Sequence, residues 1–205
     1  MKKILGAGLA GGLVVFLWGF VSHALLPVGE MGLRSMPVNS PLLDSMKSHL
    51  AEDGLYFFPG KEAGRKQTEA EDAVWATKYR MGPTGLLLYH PAGSEPMSPQ
   101  NLGLELATDV AAAILLAYLL VAIGGSTGAQ LRMAKQLRIA MVAGVFAWIS
   151  ISVPHWNWYG FPRAFILGEL IDQVVGWTLA GLVMSLLWRR AERRAILQAE
   201  RHWES

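Results

Sequence analysis

The fold is decided at residues 102–123, which read LGLELATDVAAAILLAYLLVAI. Two acidic residues, Glu105 and Asp109, lie near the start of this stretch, and the rest is almost entirely apolar. At about 1.5 Å per residue, a helix of this length spans roughly 33 Å, enough to cross a hydrocarbon core of about 30 Å. The stretch therefore predicts a membrane-spanning helix.

Three further stretches have the same apolar character. They occupy residues 4–26, 137–153 and 164–188. Of the 205 residues, 52% are hydrophobic and only 17% are charged, which excludes an ordinary soluble enzyme and a disordered chain. With no cysteine, a disulfide scaffold is excluded as well. We predict an all-α membrane protein, a four-transmembrane-helix bundle with a small α+β extracytoplasmic insert between helices 1 and 2.

The predicted boundaries follow the apolar stretches and the glycines and prolines between them. The segments are transmembrane helix 1 (1–26), an extracytoplasmic α+β cap (27–100), transmembrane helix 2 (101–124), a cytoplasmic loop (125–136), transmembrane helix 3 (137–153), an aromatic outer loop (154–163), transmembrane helix 4 (164–188) and a basic cytoplasmic tail (189–205).

The first apolar stretch also has the three regions of a signal peptide. Lys2 and Lys3 precede it, and the small residues of Ser22-His23-Ala24 imitate a cleavage site. Its apolar run is longer than the roughly 7 to 15 residues of a signal core, which favours a retained helix. A cleaved signal peptide is the alternative.

Basic residues mark one side of the predicted bundle. They lie at both termini and between helices 2 and 3: Lys2, Lys3, Arg132, Lys135, Arg138, Arg189, Arg190, Arg193, Arg194 and Arg201. Segment 27–100 is slightly acidic, and all 10 prolines lie on its side. The positive-inside rule places both termini in the cytoplasm and segment 27–100 outside, and a bacterial inner membrane is the simplest host. The net charge of +2 indicates anionic lipid as a partner rather than nucleic acid.

The insert has signals for two helices and two strands. Ser40-Pro41 caps one predicted helix, and a capping box at residues 68–71 opens a second that runs to about Tyr79. The runs at 54–59 and 85–91 are aromatic or aliphatic and bounded by glycine and proline. They predict two strands that pair in one small sheet, in a β-α-β order.

Two acidic pairs lie near the outer ends of helices 2 and 4. Glu105 and Asp109 are four residues apart, and Glu169 and Asp172 are three apart, so each pair shares a helix face. Both aspartates fall roughly 10 to 12 Å inside the predicted outer edge. With His23, one turn from the outer end of helix 1, they predict an outward-facing pocket that binds a divalent metal or relays protons.

The acidic pairs also have a purely structural interpretation. They lie in the first turns of their helices, where the helix dipole favours negative charge, and Arg163 lies at the same surface. His155, at the start of the predicted outer loop, would bring the third helix into the pocket. No Glu-x-x-His or His-x-x-x-His spacing supports the metal, so no cofactor is assigned with assurance.

Two other groups of residues predict interfaces. Trp156, Trp158 and Tyr159 fit an interfacial anchor at headgroup level, with a lid over the pocket or a partner surface as alternatives. Gly8 and Gly12 are four apart and predict a close helix–helix contact.

Four motifs together resemble a family of small bacterial four-helix integral membrane proteins. They are GFVSHALLP (19–27), GLYFFP (54–59), WNWYGFP (156–162) and IDQVVGWTLAG (171–181). The resemblance implies the same topology, and it draws attention to Asp172, Trp158 and Pro162. The family has no assigned reaction, so the resemblance implies none here.

These observations give two hypotheses about function. The first is a non-catalytic accessory or structural subunit of a larger membrane complex, whose partners are the bilayer and other membrane proteins. The basic tail, residues 189–205, is expected to extend helix 4 along or beyond the inner leaflet, with a partner-binding tail as the alternative. The alternative is a small metal-binding, proton-relay or transport protein that uses the outward-facing carboxylate and histidine pocket.

Overall fold

The computed structural model describes residues 1–61, 64–124 and 131–203. Within these residues the chain is mainly helical, with one small sheet. The elements are α1 (Lys2–Phe20), a π-helical turn (Val21–Leu25), α2 (Pro41–His49), β1 (Gly54–Phe58), α3 (Glu69–Met81), β2 (Gly85–Tyr89), α4 (Pro99–Gly124), α5 (Met133–Tyr159) and α6 (Arg163–Trp203).

The chain divides into two compact units. The helical unit comprises residues 1–33, 97–157 and 161–205, and the small unit comprises residues 34–96 and 158–160. Among the described residues, four helices are long and apolar enough to cross a membrane, namely Lys2–Leu25, Pro99–Gly124, Met133–Tyr159 and Arg163–His202. The predictions of four long apolar helices and a small sheet are confirmed.

The predicted ends of helix 3 are wrong. α5 begins at Met133, because the Arg132 carbonyl already accepts hydrogen bonds from the backbone N–H groups of Lys135 (2.8 Å) and Gln136 (3.2 Å). It also continues through Pro154 to Tyr159. A proline removes only one backbone donor, and apolar helices tolerate that loss when neighbouring groups compensate.

Two predicted loops change accordingly. The aromatic outer loop at 154–163 shrinks to residues 160–162, between α5 and α6. Of the cytoplasmic loop predicted at 125–136, residues 125–130 lie outside the described residues, and residues 133–136 belong to α5.

The basic tail extends the fourth helix. α6 runs without interruption from the fourth apolar stretch to Trp203, so residues 189–203 continue the same helix. No proline or glycine follows Gly181, and arginine, alanine, glutamate and leucine favour helix. Where the tail begins, the Arg189 guanidinium donates to the Leu131 carbonyl at 2.9 Å.

Glycines set how closely the helices of the helical unit approach. A Cβ at Gly8 would lie 2.5 Å from Ile114 Cγ1, and one at Gly12 would lie 2.4 Å from Val110 Cα. A Cβ at Gly144 in α5 would lie 2.4 Å from the Gln173 carbonyl of α6. Gly8 and Gly12 therefore pack against α4 of the same chain. The core of this unit includes Ala113, Ala117, Leu120, Ala140, Ala180 and Met184.

The small unit is a two-stranded sheet joined to a helix. β1 and β2 pair antiparallel, from Gly54 opposite Tyr89 to Phe58 opposite Gly85. The Phe57 ring stacks on the Tyr79 ring of α3 at 5.9 Å. The two predicted strands and two predicted helices are present, and the strand–helix–strand order contains antiparallel strands.

Candidate functional site

A cavity of about 620 Å³ lies between α1, α4 and α6 in the helical unit. α1 and its π-helical turn end beside the cavity, and α4 and α6 begin there. The described lining residues come from these three helices, the π-helical turn and Met97, and none comes from α5. Three of the four candidate spans therefore build the site.

The five residues predicted for an outward-facing pocket all line this cavity. Glu105 and Asp109 come from α4, Glu169 and Asp172 come from α6, and His23 comes from the π-helical turn. The i, i+4 and i, i+3 spacings place each acidic pair on one helix face. Asp109, Glu169 and Asp172 are half-buried, whereas Glu105 and His23 are exposed at the cavity.

His155 is not among the described residues that line the cavity. It lies in α5, its ring stacks on Phe161 at 5.2 Å, and its imidazole is close enough to interact electrostatically with Glu169. Of the third span, the described residues therefore contribute no lining side chain, but one imidazole lies near the pocket.

The π-helical turn holds the His23 ring in place. Nδ1 lies 3.1 Å from the Gly19 carbonyl and 2.8 Å from Ser22 Oγ. With its proton on Nδ1 the ring donates to the Gly19 carbonyl, and in the other tautomer Nδ1 accepts from the Ser22 hydroxyl. Behind the ring, a Cβ at Gly29 would lie 2.4 Å from His23 Cδ2, so a side chain there would displace the imidazole.

The other ring nitrogen of His23 faces a carboxylate. Nε2 lies 3.8 Å from Asp172 Oδ2, which is within ion-pair range but longer than a hydrogen bond. The Asp172 side chain is 17% exposed, and its Oδ1 is buried with no hydrogen-bond partner among the described residues. An unsatisfied buried carboxylate oxygen is costly, so this atom is suited to a ligand or a proton.

Aromatic side chains form much of the remaining wall. Phe16, Trp18 and Phe20 come from α1, and Trp177 comes from α6. The Trp177 indole donates to Gln173 Oε1 at 2.8 Å, which orients the ring.

Trp18 is seated against α6 at a glycine. A Cβ at Gly176 would lie 3.2 Å from Trp18 Cδ1, so only glycine leaves the ring its full space. The Trp18 Nε1 is buried and has no hydrogen-bond partner within the described ranges.

Sequence reasoning missed these indoles as site residues. One available signal was that Gln173 and Trp177 continue, at i+4 and i+8, the helix face of Glu169.

A metal bound by several side chains does not fit the observed geometry. Across residues 1–61, 64–124 and 131–203, no three His, Asp or Glu side chains are grouped closely enough to hold a metal ion. The residues predicted to bind a divalent metal therefore line one cavity, but the described side chains do not form a ligand cluster.

The predicted interface tryptophans lie in the last turns of α5. The Arg163 guanidinium lies over the Trp156 ring at 5.9 Å. Trp158 is 74% exposed, and Tyr159 is also exposed. Anchoring at a membrane surface stays a prediction for these three residues.

Charged residues of the small unit pair with one another at its surface. Lys61 Nζ lies 2.6 Å from Asp72 Oδ1 and 4.2 Å from the centre of the Trp75 ring. The Arg65 guanidinium and the Thr68 backbone N–H lower the pKa of Glu71. The Glu71 carboxylate completes the capping box of α3. These contacts explain local structure and assign no ligand.

Comparison with known proteins does not identify a family for this chain. No protein-family model, no curated protein and no solved structure matches the chain. The resemblance of its motifs to a bacterial membrane-protein family stays an expectation.

Proposed function

We propose that this chain is a small integral membrane protein that binds a cation in the cavity between α1, α4 and α6, as a transport or ion-relay site. One observation carries the proposal: four carboxylates from α4 and α6 and one imidazole from the π-helical turn line a single cavity. No Lys or Arg is among the described residues that line it. A cleft with one sign of charge concentrates ions of the opposite sign.

The placement of these carboxylates in apolar helices supports the proposal. Charged groups within membrane spans are energetically expensive, and they commonly line the path of an ion, proton or substrate. Helix-dipole stabilisation explains a carboxylate in a first turn. Helix-dipole stabilisation does not explain why both pairs line the same cavity, or why His23 lies beside Asp172 there.

The proposed setting is a bacterial inner membrane with both termini in the cytoplasm and residues 27–100 outside. The distribution of lysine and arginine supports this orientation. In this topology the cavity lies toward the outer face, because α1 ends there and α4 and α6 begin there.

Cation binding is tested on the full chain in mild detergent by titration calorimetry with K⁺, Mn²⁺ and small ammonium ions. We expect at least one of these cations to bind, and Asp172→Asn to weaken binding about 10- to 100-fold, as expected for loss of a charge-assisted contact. Asp72→Asn is the matched control, because it removes a surface carboxylate of the small unit. The proposal fails if no cation binds, or if Asp172→Asn and Glu105→Gln both bind as the unsubstituted chain does.

A second proposal concerns partner subunits. Beyond Arg190, α6 continues to Trp203, and its side chains from residue 191 to 202 are exposed. This basic, exposed helix supports the accessory-subunit hypothesis as a docking element for another membrane protein. Mass spectrometry of the protein extracted from its native membrane tests it. Stoichiometric partners that are lost on deleting residues 191–205 support it, and a partner-free protein contradicts it.

A further inference from the structure

We infer that the cation taken by this cavity is an organic one, with a charged ammonium group and an apolar or aromatic body. The inference rests on the proposed function and specifies its substrate class. It follows from the size of the cavity and from its lining of both charged and aromatic residues. It follows also from the hydrogen bond of Trp177 and the packing of Trp18 against Gly176.

The size of the cavity suits a small organic molecule. Its volume of about 620 Å³ falls inside the roughly 300 to 1,000 Å³ typical of small-molecule pockets. At about 30 Å³ per water, it corresponds to roughly 20 water molecules. A single inorganic ion would occupy little of this volume, and the described carboxylates do not converge as a ligand cluster.

The lining combines two kinds of group that an organic cation needs. Carboxylates supply the counter-charge, and indole rings are the best aromatic partners for a cation. The apolar part of the wall would bury a hydrophobic body and includes Val15, Phe16, Phe20, Met97 and Leu102. Only His23 among the described lining residues can carry a competing positive charge.

One helix presents both kinds of group to the cavity. Asp172 and Trp177 both come from α6, and both line it. One ligand can therefore place its charge against Asp172 and its apolar body against Trp177.

The Trp177 indole is oriented before any ligand binds, because Gln173 accepts from it at 2.8 Å. The Trp18 ring packs against α6 where Gly176 leaves room for it. A preformed wall lowers the ordering cost of binding. The geometry therefore favours recognition of a ligand body, and not only attraction of charge.

The test compares four probes on the full chain in mild detergent: benzyltrimethylammonium, tetramethylammonium, K⁺ and Mn²⁺. Titrations of empty micelles supply the background. We expect benzyltrimethylammonium to bind most tightly, with tetramethylammonium about 10-fold weaker because it lacks the aromatic body. Trp177→Leu should weaken benzyltrimethylammonium binding about 10-fold, and Trp177→Phe by only about 3-fold.

Trp158→Leu is the matched control, because Trp158 is exposed and does not line the cavity. Elution profile and thermal unfolding establish that each variant folds, and Trp18→Leu replaces Trp177→Leu if the latter does not.

The outcomes separate the inference from the proposed function. If K⁺ or Mn²⁺ binds through Asp172 and neither ammonium ion does, the organic-cation inference is overturned and cation binding stands. If no probe binds, both are overturned. If benzyltrimethylammonium binds equally well to the Trp177→Leu and Trp18→Leu variants, the indoles do not recognise it, and the inference is again overturned.

Discussion

The helical unit and the small unit use charged side chains in opposite ways. In the small unit, Lys61 pairs with Asp72 at 2.6 Å and Arg65 pairs with Glu71 at 2.9 Å, all at the surface. In the helical unit, two acidic pairs share a cavity with one imidazole and with no Lys or Arg in its described lining. Paired surface charges stabilise the local fold. The cavity carboxylates have no Lys or Arg as a counter-charge in the described lining, and the proposed cation would supply one.

The largest expected effect comes from separating α1 from α4, two of the helices that form the cavity. Gly12→Leu would place a Cβ 2.4 Å from Val110 Cα and 2.6 Å from Val110 N, so α1 and α4 would have to move apart. We expect a loss of about 3 kcal/mol in the free energy of unfolding, the range of overpacked cores. Thermal unfolding in detergent measures it.

Gly6→Leu is the matched control, because nothing lies within 4 Å of a Cβ at Gly6. Both substitutions raise helix propensity, so only packing distinguishes them. An equal melting temperature for the two variants would show that α1 does not pack on α4 at Gly12.

The next largest effect is expected from reversing one charge in each unit and comparing the cation affinity of the two variants. Glu105→Lys adds a fixed cation to the cavity, and its long stem can carry the ammonium toward the outer end. We expect cation affinity to fall by about 100-fold or more, since one carboxylate is lost and one like charge is added.

Asp72→Lys reverses a charge of the same kind at the surface of the small unit. Exposed ion pairs contribute only about 0 to 1 kcal/mol, so this change should lower stability slightly and leave cation affinity unchanged. Equal effects of the two reversals on cation affinity would remove the distinction between the units.

Elements that depend on local sequence were predictable. The spans at 102–123 and 164–188 follow from apolar length, and the cap of α3 follows from Thr68 and Glu71, three residues apart. The two members of each carboxylate pair were also predictable as neighbours, because their spacing puts them on one helix face.

Features that depend on tertiary contacts were not predictable. Pro154 normally indicates a helix end, yet α5 runs through it. The position of Trp18 depends on Gly176 of another helix, and that of His23 depends on Gly29 and on the π-helical turn. The last two are contacts between residues whose pairing no sequence period encodes.

Removing the cap of α3 has a smaller effect, confined to the small unit. Thr68 Oγ1 accepts from the Glu71 backbone N–H at 3.3 Å, so Thr68→Val leaves that donor without its cap. We expect a local loss of about 1 kcal/mol, seen as faster hydrogen exchange in the first turn of α3. Thr77→Val is the control, since Thr77 Oγ1 donates only to the Ala73 carbonyl within the helix. Unchanged exchange in Thr68→Val would show that the cap does not stabilise α3.

The smallest expected effect is the response of the same cap to acid. Arg65 and the Thr68 backbone N–H lower the pKa of Glu71 below its usual value near 4.5. Because the folded pKa lies below the unfolded one, the carboxylate stabilises α3 fully above about pH 4.5, and this contribution is lost as the pH falls through the folded pKa. Protection of the first turn of α3, corrected for intrinsic exchange, should therefore decline below that pH and should be flat in Glu71→Gln. Since Glu71 is exposed and paired, the decline should be slight, and Glu71→Gln should bind cations as the unsubstituted chain does. A loss of cation affinity in Glu71→Gln would mean that the surface carboxylates and the cavity carboxylates act together, and the contrast between the two units would not hold.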